Sequence, residues 1–252
     1  MKILFITLLI LIAGNSNAQH FINKAVIEYE VKSNVKKSMG NDMWSEMIKD
    51  KLPEFKTAYY TYTFSDNKSI FKFDRWADNK LPSFIKMGED ENAWFFNFAE
   101  GRYQMQKNIS GTNINVQDSI PKLKWKLQNE NRMIAGFNCR KAEAILFDSV
   151  YVFAFYTEEI LIPGGPCSLN GLPGTILGVT IPRLYTSWIA TKVMVNGVNE
   201  SVIKPFTAKK QYSLNELKTL MNDRTKDWYS NDEAENKEYQ ENKARYLWTT
   251  FL

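Results

Sequence analysis

Few side chains in this 252-residue sequence have the types and spacing to do chemistry. There is one histidine, His20, and there are two cysteines, Cys139 and Cys167. A structural zinc site needs four Cys or His ligands, so none can be assembled from these. A Ser-His-Asp or Cys-His hydrolase would have to recruit His20, which lies beside a candidate processing site. Met39, Met43 and Met47 recur every four residues, which on a helix stacks three thioethers along one face. Such ligands suit soft monovalent copper, and the same stripe would equally serve as an adaptable core-facing seam. Carboxylate-dependent hydrolysis needs two acids around one bond. Glu158 and Glu159 are adjacent, and neighbours on a strand point to opposite faces, so this pair cannot share a site. Asp74, Asp118 and Asp148 fall at expected turns or strand ends, where aspartate is common anyway. The residue inventory therefore names no catalytic residue and no cofactor.

Charge and hydropathy narrow the classes further. Lys plus Arg total 32 against 28 Asp plus Glu, a net of +4, which lacks the basic excess of a nucleic-acid binder. With 44% hydrophobic and 24% charged residues, the chain has globular composition and can bury a sizeable core. Met1 and Lys2 precede the apolar run from Ile3 to Ile12, and Ser16 and Ala18 stand at the −3 and −1 positions of a signal-peptidase site. That run is too short to span a bilayer and right for a secretory leader, so residues 1–18 are expected to be a cleavable signal peptide. No later stretch approaches the length of a membrane helix, so the exported chain is not expected to span a membrane. In an oxidising compartment an even cysteine count favours a Cys139–Cys167 disulfide, worth roughly 3.5 kcal/mol by loop entropy; two separate buried thiols are the alternative.

The elements that would position these groups read mostly as strands. Ala25, Ile27, Tyr29 and Val31 alternate with Glu28, Glu30 and Lys32, the period-2 pattern of a half-buried strand. Similar runs cover 59–64, 69–74, 93–98, 102–107, 123–127, 139–147, 150–156, 175–181 and 187–195. Asn196-Gly197 predicts a hairpin turn into a further strand at 199–203. About ten short strands with no strand-helix-strand rhythm predict a mainly β fold: a curved antiparallel sheet, half-barrel or sandwich-like. One covering helix is expected over 41–52. A second begins at Ser213, with Glu216 three residues on completing a capping box. Residues 19–229 read as one β-rich domain, and 230–252 as a polar C-terminal helix or tail. Trp125, Phe153, Phe155 and Trp188 are candidates to line an apolar groove inside the curved sheet.

The most distinctive segment runs from Ile162 to Gly178. Pro163, Gly164, Gly165, Pro166, Gly171, Leu172, Pro173 and Gly174 leave little room for regular structure and predict a rigid, shaped loop. A phosphate cradle would need Gly-Lys-Ser/Thr and a following helix, and neither is present. Gly171-Leu-Pro-Gly-Thr-Ile-Leu177 resembles the motif that names the GLPGLI family of exported Bacteroidota proteins. Ile134-Ala-Gly-Phe-Asn-Cys-Arg-Lys-Ala142, Phe155-Tyr-Thr157 and Ile162-Pro-Gly-Gly-Pro166 resemble the family's accompanying motifs, in the same order. Thr175 departs from the usual Leu and Phe155 from Trp, and Cys167 is not a general family feature. The resemblance covers roughly residues 21–225 and implies an exported protein without an established biochemical activity. The strand pattern is also similar, as an analogy of fold class only, to the half-barrel of periplasmic lipoprotein carriers.

Together these readings predict a periplasmic or cell-envelope binding or accessory protein without catalytic activity. It would hold an apolar or peptide ligand, or dock on an outer-membrane or periplasmic protein, with loop 163–174 gating or presenting the contact. An envelope copper-handling protein and a carboxylate-dependent hydrolase are the competing expectations.

Overall fold

The computed structural model describes residues 22–40, 43–77, 81–229 and 236–252. The expected leader 1–18 and His20 lie outside them. Eleven strands form one open antiparallel sheet: β1 (Lys24–Asn34), β2 (Phe55–Ser65), β3 (Lys68–Trp76), β4 (Ala93–Asn97), β5 (Arg102–Ile109), β6 (Thr112–Ser119), β7 (Lys126–Ile134), β8 (Phe137–Leu146), β9 (Val150–Thr157), β10 (Thr175–Ile181) and β11 (Thr186–Met194). Their order is β6-β5-β4-β3-β2-β1-β11-β10-β9-β8-β7. Two meanders, β1–β6 and β7–β11, are thus joined along the β1/β11 seam, where Val31 pairs with Trp188 and Ser33 with Thr186. The turns Asp66-Asn67, Ser110-Gly111 and Ala135-Gly136 have positive φ at both residues, the twist that two-residue hairpins require.

The expected mainly β architecture is the one found, and the departures are local. The 123–127 run is mostly extended chain leading into β7. The strand expected at 199–203 is instead a 3₁₀ turn, Glu200–Val202, so Asn196-Gly197 makes a bend rather than a hairpin. Strand β6 was not expected, because only Ile114 and Val116 among its residues are apolar and buried.

Strand alternation assigns the faces. Tyr29, Tyr60, Tyr62, Phe71, Trp94 and Met105 follow one another across β1 to β5 on the inner face. Tyr60 stacks on Phe71 with centroids 5.1 Å apart, and Phe71 meets Trp94 at 5.6 Å. Five strand steps separate β5 from β11, about 24 Å in a flat sheet. Lys107 of β5 and Trp188 of β11 nevertheless border one cavity, so the sheet curls into an open trough.

Short helices α1 (Val35–Ser38), α2 (Met43–Lys49) and α3 (Ser83–Lys86) sit in the connections, and two longer helices cover the sheet. Helix α4 (Leu214–Thr225) carries the expected capping box and buries Leu217 and Met221. Helix α5 (Lys237–Phe251) occupies much of the polar tail region. It closes over the trough: Arg183 lies 4.4 Å above the Trp248 ring, and Trp94 Nε1 donates to the Leu252 carbonyl at 3.1 Å. No described helix is long and apolar enough to cross a membrane.

Candidate functional site

The Gly-Pro segment is inside the molecule. Gly164, Gly165, Pro166, Cys167, Leu169, Leu172 and Gly174 are buried, Pro163 is half-buried, and only Gly171 and Pro173 of the motif residues are exposed. The segment packs on the inner face of the trough, and hydroxyls of that face bind its backbone. Tyr29 donates to the Ile176 carbonyl at 2.6 Å, and Tyr62 donates to that of Pro163. Burial pushes both phenols well above their ordinary range, so they remain donors. Thr175 Oγ1 lies 3.0 and 2.8 Å from the Ile160 and Ile162 carbonyls and shares its proton with them. Thr175 thus satisfies two buried acceptors. Trp125 Nε1 donates to the Asn170 carbonyl at 2.8 Å, closing the outer end of the segment.

The glycines permit this packing. A Cβ on Gly174, at φ +146°, would stand 2.0 Å from the Thr157 carbonyl oxygen. One on Gly165 would meet the Ile176 side chain at 2.6 Å. Neither position tolerates any other residue without backbone movement. The segment is therefore an internal plug of the trough, held by its own backbone hydrogen bonds.

Several expected constellations do not form. The four groove aromatics do not converge: Trp188 faces inward, Trp125 brackets the plug, and Phe153 and Phe155 belong to the outer face of β9. There Lys141 lies 5.2 Å over Phe153, and Arg132 lies 4.4 Å over Phe155. The cysteines are both buried and free, so the expected disulfide is corrected to two separate thiols. Cys139 lies in β8, paired with Arg132 of β7, whereas Cys167 belongs to the plug and borders the cavity. Burial raises the Cys139 thiol to about 11 and that of Cys167 to about 12, so neither is a thiolate near neutral pH. The methionines do not make one helical stripe. Met39 sits in the turn that closes α1, Met43 opens α2, and Met47 is 71% exposed. Among the described residues no three His, Cys, Asp or Glu side chains converge as metal ligands. Glu158 accepts from the Tyr156 hydroxyl and Glu159 from the Asn138 amide, each committed locally.

A half-open cavity of about 240 Å³ lies between the inner face and α5. Val31, Tyr60, Trp94 and Trp188 form its apolar wall, Cys167 reaches it from the plug, and Thr249 faces it from α5. Lys107 stands among them, 8% exposed. Its Nζ donates to the Thr249 carbonyl and lies 5.3 Å from the Trp94 ring centroid. Burial lowers the ammonium to about 8, with Cys167 and Glu89 acting the other way. Glu89 also borders the cavity, but its carboxylate is held by Lys56. Lys107 is not among the site residues expected from sequence, although a signal for it is present. Tyr103, Met105, Lys107 and Ile109 alternate on one face of β5, a lysine in phase with apolar neighbours.

Fold and site thus define a mainly β protein whose single curled sheet is plugged by a Gly-Pro segment and closed by a helix over a small aromatic cavity. No family model and no curated protein matches the chain. Among solved structures it is similar to PNGF-II in its P21 and C2 crystal forms, with a TM-score of 0.49 in both and 15% and 14% identity. The similarity covers 75% of this chain but only 31% and 30% of those chains.

Proposed function

We propose that this is an exported cell-envelope binding protein of the GLPGLI type, non-catalytic, whose trough holds a small apolar ligand between its inner face and α5. The observation that carries the reading is the cavity of about 240 Å³ walled by Val31, Tyr60, Trp94 and Trp188. Ligand sites are concave, mainly apolar, and fixed by a few placed polar groups, and this cavity has that character at small size. The envelope address rests on the leader pattern of residues 1–18 and on the motif resemblance. The Gly-Pro segment enters as the scaffold that shapes the cavity floor through Cys167, in place of the gating role expected from sequence. Mass spectrometry under non-denaturing conditions, on protein recovered from its own envelope, tests the reading. One small apolar molecule per chain, released on unfolding, is the expected result. A chain that is empty on recovery, and that takes up no short-chain alcohol or acid afterwards, would overturn it.

A further inference from the structure

We propose that the cavity selects an amphipathic anion, a short-chain carboxylate whose head is held by Lys107 Nζ and whose chain lies against Trp94 and Trp188. This inference rests on the ligand-binding reading above and adds the chemical class of the ligand.

Three observations carry it. First, Lys107 is more than nine-tenths buried, yet no carboxylate lies within ion-pair distance of it among the described residues. A buried ammonium without a counter-ion is costly, and natural interiors pair such charges. Second, its donors are under-used. An ammonium has three N–H groups, and among the described residues only the Thr249 carbonyl accepts from Nζ. Lys107, Trp94 and Thr249 all line the cavity, so the site of the unused donors borders the same space. Third, the wall is mainly apolar, with Trp94, Trp188 and Val31 beside a polar rim of Ser33, Asn92, Asn108 and Thr186, and the acidic side chain at its border, Glu89, is held by Lys56. A ligand that completes this site supplies one anionic oxygen pair and a short hydrocarbon body. A neutral hydrocarbon would leave the ammonium unmet, and a polyanion would have no second cation to meet. The volume of about 240 Å³ lies below the usual range for drug-sized ligands, roughly 300–1,000 Å³. A short chain is enough to fill it.

Calorimetric titration of the folded full chain with octanoate and with 1-octanol, which share a chain and differ in the head, tests the assignment. Octanoate is expected to bind one per chain at least tenfold more tightly than octanol. Lys107→Met should remove that preference by weakening octanoate more than octanol, and Lys107→Arg should retain a preference for octanoate. Equal affinity for acid and alcohol in the native protein overturns the anion assignment and leaves the apolar site standing. So does unchanged octanoate binding in a folded Lys107→Met variant. If neither probe binds, the ligand-binding reading falls with it. Should Lys107→Met fail to fold, the acid-versus-alcohol ratio in the native chain and in Lys107→Arg still decides.

Discussion

The inner face of the trough holds two neighbours of opposite character, the Gly-Pro plug and the cavity under α5. The plug is the most conspicuous stretch of the sequence, and none of its buried side-chain polar atoms lacks a partner. Its carbonyls meet Tyr29, Tyr62, Trp125 and Thr175, and Gly174 sits against the Thr157 backbone with no space to spare. The cavity is lined by residues that look ordinary in sequence, yet it contains the poorly satisfied ammonium of Lys107. The two regions touch at Cys167, which belongs to the plug and borders the void. The difference shows that conspicuous composition can mark a demanding piece of architecture. Potential for binding lies instead where a polar group is left unmet.

Substitutions should separate the two regions sharply. The largest effect belongs to the plug: Gly174→Val drives a Cβ into the Thr157 carbonyl and should cost more than about 4 kcal/mol. Thermal melting should show a fall of at least roughly 8–16 °C, or no soluble protein at all; a near-native melt would mean the plug is not tightly held. The cavity should behave in the opposite sense. Lys107 has its folded value lowered from 10.5 to about 8, so both states carry the charge below pH 8 and burial is a full penalty there. Stability from this group is therefore regained as pH rises from about 8 to 10.5. Lys107→Met removes that penalty and should be more stable than the parent at pH 7. Chemical denaturation at pH 7 and pH 10 should show the gap shrinking, and a gap that grows with pH would contradict the burial argument.

A smaller change tests the plug's internal bonding. Thr175→Val keeps the shape but leaves the Ile162 carbonyl without its hydroxyl partner, and should cost about 1–3 kcal/mol by denaturant midpoint. The smallest effect is expected from redox treatment. Because Cys139 and Cys167 are separate thiols, reductant should not move the melting temperature. An aromatic disulfide reagent should label neither in the folded chain and both after unfolding. A several-degree drop on reduction would restore the bridge.

Most of the sheet was legible because half-buried strands announce themselves by alternation, as Ala25 to Val31 and Tyr103 to Ile109 do. The α4 start was legible because Ser213 and Glu216 form a local capping box that needs no tertiary help. The failures share a cause, in that local patterns were overruled by distant partners. Trp125 alternates like a strand residue but is taken by the Asn170 carbonyl. Phe153 and Phe155 read as groove lining, yet the register of β9 against β8 turns them to the face carrying Lys141 and Arg132. The methionine spacing is regular only on paper, since the chain leaves α1 at Met39 before α2 begins. The cavity itself could not be read, because alternation tells which residues face inward but not how far a sheet curls.

The placement of β1 has a consequence for how the molecule assembles in time. Val31 lies beside Trp188, about 160 positions later, and that seam is also the cavity's wall. Each meander can zip locally through its hairpins, while the pocket exists only once both have formed and met. Long-range closure of this kind is the slow part of folding, because a large loop must be ordered before its contacts are gained. The cavity therefore depends on the docking of the two meanders, and a small molecule that filled it would act on that step rather than on the strands themselves.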